Sequence, residues 1–171
     1  MDVMLVVLRL LHIVLGAYWA GTVIFTALYL EPSVRAVGPP GGQVMAQLVK
    51  RGHLNVLPVA ALITVLTGVE LLRRVSAGFD PVWMASRMGI ALSVGAAATL
   101  VAFVVGVFVM RATTLKVMAL AQTAMQVPEG PARESQLAAT QPLRRRATVA
   151  LRWVTALLVV TVVTMAVARY L

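Results

Sequence analysis

Four stretches of this chain are too long and too apolar to be surface elements of a soluble domain. They cover about residues 3–30, 54–72, 87–110 and 149–167, and a helix needs roughly 20 apolar residues to cross the hydrocarbon of a bilayer. In that medium every backbone N–H and C=O must bond within the protein, so only helices or a closed barrel span it. Runs of this length are far longer than a strand and read as helices. Composition agrees: 60% of the residues are apolar and 12% charged, against about 45–50% and 25% in soluble domains. The expected fold is all-α, an integral membrane four-helix bundle filling residues 1–171 as one transmembrane domain.

The first run contains groups that hydrocarbon does not tolerate without a reason. Arg9, His12 and Trp19 lie inside it, and an ionisable side chain at that depth needs a partner or a purpose. His12, Gly16 and Trp19 share a helical face. The pairs Gly16 with Ala20 and Ala17 with Gly21, each four apart, leave the helix thin enough for close approach by a neighbour. Arg9, Gly16, Trp19 and Gly21 are therefore expected to face the interior of the bundle. The opening carries no basic segment before its apolar run, so it is expected to remain as a spanning helix and not to act as a signal peptide.

Punctuation along the chain sets the remaining boundaries. Glu31-Pro32 is expected to end the first helix, because the residue before proline disfavours the helical conformation, and Gly38-Pro39-Pro40-Gly41-Gly42 is a break. Residues 43–52 are amphipathic and suit the membrane interface. Asp80-Pro81 reads as an N-cap followed by proline at the first helical position. The third helical pattern continues past Arg111 through Leu115, Met118, Gln122 and Met125 to the Pro128–Pro131 break. A second, weaker helix over residues 132–141 ends at Pro142. Together these pieces predict a helical cytoplasmic extension between the third and fourth helices.

Basic residues outnumber acidic ones 15 to 6, giving a net charge of +9. They sit at the ends of the apolar runs rather than along a stripe with interleaved aromatics, so nucleic acid is not an expected partner. Ten lie near the first and third loops and five near the opposite ends. The positive-inside rule then puts both loops in the cytoplasm and both termini outside, in a bacterial inner membrane. Arg144, Arg145 and Arg146 are placed to meet anionic lipid head groups or an acidic partner. The absence of cysteine excludes disulfides, thiolate metal sites, iron–sulfur clusters and thioether-linked haem.

His12, Gly16, Trp19 and Gly21, with Phe25 and Pro32 following and Thr67-Gly68 in the second run, resemble the CopD-like superfamily of small bacterial membrane proteins. That grouping includes copper-resistance protein D and, at greater distance, the four-helix haem-containing protoporphyrinogen oxidases. The resemblance implies a four-helix membrane bundle and a haem- or copper-handling role for His12. The oxidases carry a lysine near the corresponding histidine, where this chain has Arg9, so their reaction is not carried over.

The residues themselves offer few constellations. A haem between two histidines would need His12 and His53, but these fall at opposite ends of the bundle, with His12 about 27 Å along the helix from Leu30. By depth, His12 lies roughly 13 Å from the outer end and Met88 and Met165 about 9–10 Å, a set of imidazole and thioethers suited to Cu(I). Met is also a common gap-filler. Arg9 and Glu70, both in the outer half, are the expected ion pair, with Arg73 or Arg74 as the local alternative for Glu70. No nucleophile–base pair, phosphate loop or zinc spacing is present. The leading expectation is thus a non-catalytic subunit or scaffold, packed in the lipid bilayer against other membrane protein subunits and needing no cofactor. The alternative is a protein holding haem b or Cu(I) at His12.

Overall fold

A carboxylate starts the first helix. Asp2 Oδ1 accepts the Met4 N–H at 3.0 Å, satisfying one of the donors that a helix N-terminus leaves free. The computed structural model describes residues 2–171, and these form helices and turns with no strand. Helix α1 covers Val3–Val37, α2 Pro39–Lys50, α3 His53–Val75, α4 Pro81–Met84, α5 Arg87–Met125, α6 Pro131–Ala138 and α7 Gln141–Val167. Four helical segments, the last running from α6 through α7, are long and apolar enough to cross a membrane. Their outward faces carry exposed Ile13, Val14, Leu66, Val101, Phe108 and Val163. An apolar exterior of that extent is unusual for a soluble monomer and is what a multi-pass membrane protein presents.

Glu31-Pro32 does not end α1. The preceding turn, Thr26–Leu30, is widened to π geometry, with the Glu31 N–H reaching back to the Thr26 carbonyl. That shift of register carries the helix past the proline. The break falls at Gly38 alone, whose φ of 74° suits glycine, and α2 begins at once with Pro39. Gly41 then lies so close to the Val34 carbonyl that no side chain fits. Pro142 likewise does not stop a helix; it sits in the first turn of α7, where its missing N–H is not needed. The expected Asp80 cap is present: its Oδ2 accepts the Trp83 N–H at 2.8 Å.

The helices form two antiparallel pairs, α1 with α3 and α5 with α7. Where the pairs meet, Trp19, Val23, Leu57, Ala102, Val154 and Leu158 make a buried core. That core fills the middle of the bundle. Beyond it α5 continues to Met125, 39 residues in all and about 58 Å long. Its last turns pack against α6 and α7, burying Ala124 completely and Thr140 to 1% exposure. The helical extension between the third and fourth long segments is thus part of the fold.

Candidate functional site

About a quarter of the way along α1, His12 turns towards α3. Its Nδ1 lies 2.9 Å from the Thr64 carbonyl oxygen and 3.3 Å from Thr67 Oγ1. A carbonyl oxygen can only accept, so Nδ1 carries the proton and donates. In the neutral ring that leaves Nε2 with its lone pair free. The bond is possible because the helices approach closely there. A Cβ on Gly68 would sit 2.8 Å from His12 Cε1, and one on Gly16 would sit 3.3 Å from Thr64 Cγ2. Thr67 spends its own hydroxyl hydrogen inside α3, on the Ile63 carbonyl at 2.7 Å.

His12 lines a cavity of about 410 Å³ between the two helix pairs, near the end that carries both chain termini. Arg9 and Leu5 of α1, Thr64, Gly68 and Arg74 of α3, Leu92 and Thr99 of α5 and Met165 of α7 share its wall. The size and mostly aliphatic lining are those of a small-molecule or cofactor site. Across α5 and α7 the wall is fixed by Thr99, which donates to Thr161 Oγ1 at 3.1 Å. Gly95 leaves room for Met165 to pack within 3.3 Å of where its Cβ would be.

Three sequence expectations need correction, the first being Gly21, which is exposed and not turned into the bundle. Glu70 does not pair with Arg9. It accepts from Arg73 Nε at 2.7 Å and Arg74 Nε at 2.6 Å, because partners three and four residues along the same helix reach it without any constraint between helices. Arg74 also donates to Asp2 Oδ2 at 3.0 Å, tying the start of α1 to the end of α3 beside the cavity. Arg9 forms no ion pair among the described residues. Nor does Met88 join His12 and Met165: it lies in the first turn of α5, whereas the cavity wall begins one turn deeper at Leu92.

The other expected residues fall as follows. Trp19 is buried at 5% exposure and belongs to the core below the cavity. Gly21 is exposed, and an added Cβ there meets nothing within 4 Å. Half of the small-residue surface therefore packs inwards, at Gly16 and Ala20, and half faces out, at Ala17 and Gly21. His53 opens α3, eleven residues from the Thr64 contact of His12, or about 16 Å along the helix. Among the described residues no three His, Cys, Asp or Glu side chains gather as a metal group. Arg144, Arg145 and Arg146 are exposed on the first turns of α7, with Arg144 Nε 3.2 Å from Thr140 Oγ1.

Sequence reading did not single out Thr64, Gly68 and Arg74 as one site with His12. Thr64 and Thr67 fall near the depth of His12 by helix rise alone, but the bond from His12 goes to the backbone of Thr64, which no residue type announces. Comparison with protein-family models, curated proteins and solved structures finds no match to this chain, so the site is read from its geometry.

Proposed function

We propose that this protein is an integral membrane haem protein in which His12 Nε2 is the protein ligand to a haem b held in the cavity between the two helix pairs. The observation that carries the reading is the Nδ1 bond to the Thr64 carbonyl. A ligating histidine characteristically donates its other ring N–H to a carbonyl or carboxylate, which fixes the tautomer and aims the free nitrogen. The residues fit the group: His12 would be the protein ligand, one imidazole being enough because the porphyrin would supply the other donors, and the aliphatic wall suits the ring. Met165 shares that wall and is the available thioether. Cu(I) fits less well, since Met88 lies outside the cavity and one imidazole with one thioether leaves that ion short of donors. The CopD-like features of α1 point the same way. When bound, a haem would supply one-electron chemistry; the chain's part would be to hold it against the aliphatic wall and to fix the imidazole through Thr64. In this reading the protein sits in the bacterial inner membrane with both termini outside, an orientation resting on the distribution of its basic residues.

The test is an ultraviolet–visible spectrum of the detergent-purified chain. A Soret band that is lost in His12→Ala and kept in His53→Ala supports the proposal. A second reading, a non-catalytic subunit packed against other membrane proteins, is favoured by the outward-facing Ala17 and Gly21. It is the one to adopt if no Soret band appears under haem-replete expression.

A further inference from the structure

We infer that Arg9 is the acid-binding residue of the cavity: it takes a carboxylate on the edge of the bound ligand and so selects an occupant with an apolar body and an anionic rim. This rests on the proposed haem site, where the acid groups are the propionates.

Arg9 lies three residues from His12 on α1 and lines the same cavity, where it is exposed and not buried in the bundle as its sequence position suggests. It is towards the end of the bundle that carries the termini. It forms no ion pair among the described residues. The nearby acids are already committed: Glu70 to Arg73 and Arg74, and Asp2 to Arg74. Arg74 also lines the cavity, but Asp2 and the Glu70 it shares with Arg73 already meet its charge. Arg9 is therefore the cation with charge left to offer. A guanidinium within an apolar run is costly unless an anion meets it, and its planar fork matches a carboxylate in a bidentate arrangement. The rest of the wall, including Leu5, Val65, Leu72, Leu92 and Leu100, is aliphatic. Cation and imidazole thus lie on one cavity in that order from the terminal end inwards, with aliphatic surface at both levels. That order suits a ligand whose centre meets His12 and whose acid edge faces outwards.

The experiment compares haem with its dimethyl ester, which keeps the iron and the ring but has no carboxylate. The full-length chain, depleted of haem in detergent, is titrated with each and followed at the Soret band. The wild type is expected to bind haem about tenfold more tightly than the ester, the scale of one charge-assisted interaction. Arg9→Gln should bring haem down to the affinity of the ester without changing the ester, and Arg9→Lys should restore part of the difference. Circular dichroism melting of each variant separates loss of the charge from loss of the fold. Equal binding of haem and ester by the wild type overturns the inference. So does an unchanged haem-to-ester ratio in Arg9→Gln, the result expected if Arg9 instead reaches out to lipid phosphates. Both of these leave the haem site standing. Binding of neither compound removes the haem reading and this inference with it.

Discussion

Arg111 Nε donates to the Leu54 carbonyl at 2.9 Å, and that carbonyl is the one Pro58 leaves without a helical donor. Within α3 the residue four further on would normally bond Leu54, but proline has no N–H. A guanidinium from the π-widened part of α5, Val105–Arg111, takes its place, and Arg111 Nη2 also reaches Asn55 Oδ1 at 2.9 Å. A helix interrupted by proline in a membrane needs such a substitute, because lipid offers none.

A double-mutant cycle tests this pairing. Arg111→Met should lower stability by about 1–3 kcal/mol, the cost of leaving a part-buried carbonyl unsatisfied. Pro58→Ala in the same chain should recover much of that loss, because α3 then satisfies Leu54 itself. Denaturant unfolding in detergent reads both; strictly additive effects would show that Arg111 serves some other end.

Gly68→Ala should destabilise the pairing of α1 with α3 by about 1–3 kcal/mol through overpacking, since the new Cβ would lie 2.8 Å from the imidazole. The displaced ring should lose its bond to Thr64, so any Soret maximum should shift or weaken as well. Gly16→Leu should be at least as harmful, because a Cβ there already stands 3.3 Å from Thr64 Cγ2. Parental melting in both variants would mean that the two helices are not in close contact.

Gly21 gives the opposite expectation. It is exposed with open space around it, so Gly21→Leu should leave the melting of the isolated chain unchanged. If the same variant loses a co-purifying protein from native membranes, that face is a packing surface for another subunit. A lowered melting temperature in the isolated chain would contradict the outward placement.

Asp2 does two things, and two substitutions separate them. Asp2→Asn retains a good N-cap for α1 but loses the charge that meets Arg74 at 3.0 Å, a change worth about 0–1 kcal/mol for an exposed pair. Asp2→Ala loses the cap too, adding about 1 kcal/mol. Equal melting of the two variants would show that capping contributes nothing.

A reporter inserted near Gly130, between α5 and α6, tests orientation. It should be active only on the cytoplasmic side. Activity on the outer face would reverse the topology drawn from the basic residues and put the His12 cavity near the cytoplasm.

What could be read from the sequence follows the strength of each physical signal. The helical continuation from Arg111 to Met125 was legible because apolar spacing persisted until a cluster of proline and glycine ended it. The Asp80 cap was legible because N-cap and proline preferences are local. Glu31-Pro32 misled because a π-turn can absorb a proline, and no side chain encodes that turn. The Arg9–Glu70 pairing was an argument from shared depth, and depth does not decide between a partner on the next helix and one four residues away. Met88 failed for a related reason: equal depth does not place a side chain on the same wall. His12 stood out by its chemistry, but its acceptor is a main-chain oxygen, which only the packing of α1 on α3 identifies.

The placement of the cavity has a thermodynamic consequence. The buried core, from Trp19 to Leu158, fills the middle of the bundle, and the 410 Å³ cavity adjoins it on the side of the chain termini. At the cavity end the two helix pairs have less of each other to hold. Whatever fills that space extends the packed interior, so occupancy and folding are linked equilibria. A ligand at a hundred times its dissociation constant would add about 2.7 kcal/mol to stability, and the terminal halves of α1 and α5 would gain protection from amide exchange before the rest of the bundle.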